Sequence, residues 1–193
     1  MPNPSGRLAS IIVAACLLTG CQPPAPTPSP LPSYRCTPEA GGAEFDCSQK
    51  QYDDMVAKDK LYAEAEAVYR RFFEEEVRIL RAGGVSEPTP VLLETTTGAF
   101  LEDSMDYYRS LLNERTRLIG GEVRLASLSR VPGKSKADSV VVLKACVDAT
   151  SARMEVDGRS NGMGRSGTDV LYFGPQGGPL KIQGADGTEG ACQ

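Results

Sequence analysis

The residues best suited to chemistry in this 193-residue chain are six cysteines, a Glu74-Glu75-Glu76 run and a strand-borne Asp148. There is no histidine, which removes Ser-His-Asp and Cys-His nucleophilic arrangements. No Cys-x-x-Cys pair occurs, so with no histidine the cysteines do not spell a metal site, and neither metal nor cofactor is expected. The glutamate run invites a carboxylate mechanism, but such a run on a helix is ordinarily a solvated face. Asp148 would share a strand face with Val140 and Val142. In an apolar pocket its pKa would rise and it could act as a general base, whereas near the strand end it would be solvated or paired with an arginine. Tyr69, Phe72, Phe73, Tyr107, Tyr108 and Tyr172 could line a pocket for an apolar ligand. The plainer reading makes them core, with each buried hydroxyl needing a partner. Gly158-Arg159-Ser160-Asn161-Gly162-Met163-Gly164-Arg165 is glycine-rich, but no helix follows to hold an anion, so it reads as a hairpin tip.

The elements that would position these groups follow from periodicity. Ser48-Gln49-Lys50-Gln51 is a capping box, and apolar residues from Met55 through Tyr62, Ala65, Tyr69, Phe72, Phe73, Val77 and Leu80 recur at helical spacing. This predicts a helix over 49–82, ended by Gly83-Gly84, with Glu66–Arg70 and Glu74–Arg78 as i,i+4 pairs. Thr89-Pro90 starts a short second helix, broken at Thr95-Thr96-Thr97-Gly98. A third helix is expected over 99–116, with Leu101, Met105, Tyr108 and Leu112 on one stripe. Strands follow: one around Val123–Ser127, the strongest over Asp138–Thr150, then Arg153–Val156, Val170–Phe173 and Leu180–Ile182. Asn161-Gly162 is the hairpin turn pair of the polar stretch between them.

The amino terminus has a different composition. Arg7 precedes about ten apolar residues, Leu8–Leu17, too few to span a ~30 Å hydrocarbon core. Leu18-Thr19-Gly20-Cys21 follows, and this stretch resembles the signal peptide and lipobox of bacterial lipoproteins. The resemblance implies cleavage before Cys21 and acylation of that cysteine. Residues 1–20 would be the signal, 21–35 a tether with six prolines, and 36–193 one domain. The tether would reach roughly 40 Å if extended as polyproline II. The net charge of −4, with no basic run, argues against nucleic acid and against electrostatic docking on anionic lipid. With Cys16 removed and Cys21 acylated, four thiols remain and allow three pairings. Proximity favours Cys36–Cys47, which leaves Cys146–Cys192.

Helices followed by a strand meander give an α+β fold: three N-terminal helices packed on one curved antiparallel sheet of four to five strands. The pattern over about 60–192 resembles the NTF2-like (SnoaL-like) cone, and especially small actinobacterial lipoproteins of that superfamily. The likeness is carried by Ala65-Glu66-Ala67-Val68-Tyr69-Arg70-Arg71-Phe72, Glu87-Pro88-Thr89-Pro90, Phe100-Leu101-Glu102-Asp103, Gly120-Gly121-Glu122-Val123-Arg124-Leu125, Val147-Asp148 and Leu180-Lys181-Ile182. It implies a pocket at the wide end of the cone, where Tyr69, Phe73, Tyr108, Asp148 and Tyr172 are the candidates; it implies no catalytic residues. Three functional expectations result. The leading one is a lipid-anchored, non-enzymatic binding lipoprotein on the outer face of the cell membrane, its partner an envelope protein or a small apolar ligand. The second is an isomerase or hydrolase using Asp148. The third is a structural or surface-exclusion envelope lipoprotein, host- or phage-encoded.

Overall fold

A computed structural model describes residues 33–175 and 177–192. Cys16, Cys21, the apolar leader and the proline-rich stretch up to Pro32 lie outside the described residues.

Helix α1 runs Gln49–Ala82. Its start is the reciprocal capping box: the Gln51 amide donates to the Ser48 hydroxyl, and the Gln51 side chain accepts from the Ser48 amide. Its end is Gly83, left-handed at φ 84°. The surface ion pairs differ from expectation, because Arg78 turns to Glu75 at i,i+3 rather than to Glu74. Helix α2, Pro90–Thr95, begins with Pro at the first turn and the Thr89 hydroxyl accepting from the Leu92 amide. Thr95 and Thr96 are buried, and their hydroxyls donate to the Val91 and Leu92 carbonyls. Helix α3, Gly98–Glu114, stops at Arg115, whose φ is 50°.

The single curved sheet is overturned. Nine strands among the described residues divide into three sheets, so the chain does not build the one-sheet NTF2-like cone. Strands β1 (Tyr34–Cys36) and β2 (Phe45–Cys47) pair antiparallel and are stapled by the Cys36–Cys47 disulfide, Cα–Cα 5.9 Å. Strands β3 (Thr116–Gly120), β6 (Arg153–Val156) and β7 (Arg159–Met163) make a three-stranded sheet in the order β3-β6-β7. The largest sheet orders β4 (Arg124–Arg130), β5 (Val141–Asp148), β8 (Ser166–Pro175) and β9 (Leu180–Glu189) antiparallel.

Short strands account for the missed sheets. Runs of three to five residues carry too little periodicity to separate strand from loop or from the end of a helix. Thr116 and Leu118 point inward once Arg115 has turned the chain, so Thr116, the expected last helical residue, opens strand β3 instead. The β6–β7 turn is Asp157-Gly158, with φ of 47° and 79°, which suits a two-residue primed turn; Asn161-Gly162 falls inside β7.

The core lies between the helices and one face of the four-stranded sheet. Val141, Leu143 and Ala145 of β5 stand opposite Phe173, Leu171 and Asp169 of β8, so all six side chains share a face. Leu171, Phe173 and Ile182 pack there against Tyr69 and Phe72 of α1, Leu92 of α2, and Met105 and Tyr108 of α3. Each such side chain contributes about 1.5–3 kcal/mol by leaving water. Two bulges adjust this face. One, between Leu125 and Ser127 of β4, brings Leu128 opposite Ala145. The other, on β9, inserts an extra residue between Ile182, opposite Phe173, and Gly184, opposite Tyr172.

Candidate functional site

The site grows from two carboxylates held on apolar surfaces. On α1, Tyr62, Ala65, Tyr69, Phe72 and Ile79 are buried at alternating steps of three and four, and Glu76 occupies the step between Phe72 and Ile79. Helical geometry therefore turns Glu76 inward with the aromatics, while its neighbour Glu74 is exposed. Glu75, almost fully buried, is taken by Arg78. On β8 the same logic runs with period two: Asp169, Leu171 and Phe173 alternate onto the inner face.

These groups meet at a cavity of about 510 Å³. Tyr69, Phe72 and Glu76 form the α1 wall, Phe100, Asp103, Ser104 and Tyr107 the α3 wall, and Asp169, Leu171 and the bulged Gln183-Gly184-Ala185 the sheet wall. Phe72 and Phe100 close on each other, with centroids 5.4 Å apart. Gln183 leaves its Nε2 buried with no partner among the described residues.

Electrostatics set this cavity apart. Burial pushes the Glu76 carboxyl up to about 7, and the Asp169 charge adds to the rise; a 3.4 Å hydrogen bond from the Tyr108 hydroxyl opposes it only partly. Burial alone raises Asp169. The phenols of Tyr69 and Tyr108 are likewise pushed up, first by burial and then by the nearby acids. Lys136 reaches the cavity, but its ammonium is held by Asp186 at 2.8 Å and lies 5.3 Å from the Tyr172 ring centroid. The arrangement can donate phenolic hydroxyls, accept through two carboxylates, and offer aromatic faces to a guest.

The structure distributes the sequence-predicted residues unevenly. Tyr69 lines the cavity; Tyr108 stands behind Glu76 as its donor; Phe73 packs beside Tyr69, centroids 6.3 Å apart. Tyr172 is buried on the opposite sheet face, its hydroxyl donating to Asp186 at 2.7 Å. Asp148 is a correction. The helix-covered face is that of Val141, Leu143 and Ala145, so alternation places Asp148 on the far side of the sheet. There it accepts from the Thr150 hydroxyl and amide and from Arg124, and these bonds hold its carboxyl well below the usual carboxylate range. This is the arginine-paired reading of Asp148, and these bonds favour its ionised form. Cys146, on that same face, is bridged to Cys192, Cα–Cα 5.6 Å. Cys21 lies outside the described residues.

Sequence reasoning set Glu76 aside with the rest of its run as a solvated face and passed over Asp169, although both had a signal: each interrupts an apolar stripe at a core-facing step. Among the described residues, no three His, Cys, Asp or Glu side chains are placed to hold a metal ion, and no helix is long and apolar enough to cross a membrane. Comparison with protein families, curated proteins and solved structures finds no match to this chain.

Proposed function

We propose that this is a lipid-anchored extracytoplasmic binding protein that holds a small ligand, without chemical conversion, in the cavity between α1, α3 and the four-stranded sheet. One observation carries the reading: a cavity of about 510 Å³ is walled by aromatics yet keeps two carboxylates that no cation among the described residues pairs with. A folded chain ordinarily fills such a space or pairs such charges, so their retention supports an occupant. Two disulfides fit an oxidising, extracytoplasmic compartment. The lipobox-like Leu18-Thr19-Gly20-Cys21 supports anchoring through acylated Cys21, with the proline-rich segment as a spacer. More than one acyl chain would make that anchor stable, since a single chain binds only marginally.

The test has two parts. Cell fractionation and mass spectrometry of the mature amino terminus should find diacylated or triacylated Cys21 in membranes; an unacylated terminus elsewhere refutes the anchor. Small molecules released from the purified full chain should be compared between wild type and Ala185→Phe, which fills the sheet wall. A compound held by the wild type and lost from the variant is expected. Equal retention by both, or none by either, refutes the binding role.

A further inference from the structure

Resting on the cavity's role as a ligand site, we propose that its ligand is a small organic cation, an ammonium group carried on an apolar body. The argument is one of complementarity. Glu76 and Asp169 bring two acids to one apolar cavity, and Asp103 adds a third on the α3 wall. Among the described residues the one basic group lining it, Lys136, is already committed to Asp186. An anionic guest would therefore meet repulsion from three sides, and a neutral guest would leave both inner carboxylates uncompensated. A cation relieves both.

The walls decide which kind of cation. A hard divalent ion asks for about six oxygen ligands in a tight shell, and the described acids form no such group. Tyr69, Phe72, Phe100 and Tyr107 instead present ring surface around the carboxylates. Aromatic faces attract ammonium groups through their quadrupole, most strongly when water is excluded. The volume, about 510 Å³, lies in the range of small-molecule sites and exceeds what a bare ammonium would fill, which leaves room for an apolar portion against Leu171 and Ala185.

The test is an NMR titration of the detergent-solubilised full chain, following the Tyr69, Gln183 and Ala185 amides. Benzyltrimethylammonium is the cationic probe, phenylacetate the anionic one and benzyl alcohol the neutral one. Saturable shifts at those amides are expected with benzyltrimethylammonium, at least tenfold tighter than with either other probe. Glu76→Gln and Asp169→Asn should each weaken the cation by tenfold or more while leaving benzyl alcohol within twofold. Both variants remove a buried charge and so are expected to fold, which the retained amide spectrum verifies. If benzyl alcohol or phenylacetate binds there as tightly as the cation, or if the variants bind the cation unchanged, the cation assignment falls and the cavity remains a ligand site. If no probe moves those amides, both fall.

Discussion

Replacing Glu76 with glutamine isolates the most unusual energetic feature of the fold. In the unfolded chain Glu76 titrates at its ordinary value of 4.5, and in the folded protein at about 7. The folded state therefore binds the extra proton between those values. Stability from this group is fully present below pH 4.5 and is lost as pH rises through about 7. The difference corresponds to about 3 kcal/mol across the window. The raised Asp169 carboxyl acts in the same direction. Glu75, Asp148 and Asp186, whose carboxyls are lowered, change protonation only at more acidic pH and leave the window clear. Urea unfolding of the disulfide-intact protein at pH 5, 6, 7 and 8, read by tyrosine fluorescence because the chain has no tryptophan, measures the slope. The wild type should lose about 3 kcal/mol of unfolding free energy from pH 5 to pH 8, and Glu76→Gln should lose much less. At pH 8 the variant should melt roughly 6–12 °C higher, at 2–4 °C per kcal/mol for a domain of this size. Parallel pH profiles for the two proteins would refute the claim that Glu76 is an enclosed acid.

Asp148→Asn should leave the pH 5–8 profile and benzyltrimethylammonium binding unchanged within twofold. It should instead reduce acid sensitivity below about pH 4, leaving the parts due to Glu75 and Asp186, since a carboxyl held low contributes stability that is lost on protonation; an effect on ligand binding would return Asp148 to the site. Cys146→Ser with Cys192→Ser opens a 46-residue separation and should cost about 4 kcal/mol in urea, against about 3 kcal/mol for opening the 11-residue Cys36–Cys47 separation. Gly84→Ala should destabilise by about 2–4 kcal/mol, because Gly84 sits at φ 97° and an added Cβ would run into the Tyr108 carbonyl; a neutral result in the same urea assay would show that α1 and α3 do not approach there. Cys21→Ser should move the protein from the membrane fraction to the soluble extracytoplasmic fraction, read by immunoblot.

Much of the fold was legible wherever a pattern ran long enough to be unambiguous. Helix α1 has the predicted span because a capping box, apolar positions repeating from Met55 to Leu80 and a left-handed glycine agree. The cysteine pairings followed from proximity and elimination. Strand β5 was plain from its alternation, but alternation names two faces without saying which one the helices cover. That ambiguity put Asp148 in the pocket and left Asp169 out of it. The division into three sheets was invisible because β1, β3, β6 and β7 are three to five residues long, and which neighbour a short strand pairs with depends on contacts distant in sequence.

By itself, then, the amino-acid order determined the helices, their caps and the thiol chemistry available, and it holds no histidine for a Ser-His-Asp or Cys-His arrangement, because each depends on neighbouring residues or on composition. Only tertiary structure decided that one glutamate of three faces an aromatic wall and that an aspartate from a strand 93 positions later shares its cavity. Burial and charge proximity are properties of the space between elements, and that space exists only once α1, α3 and the sheet have closed around it.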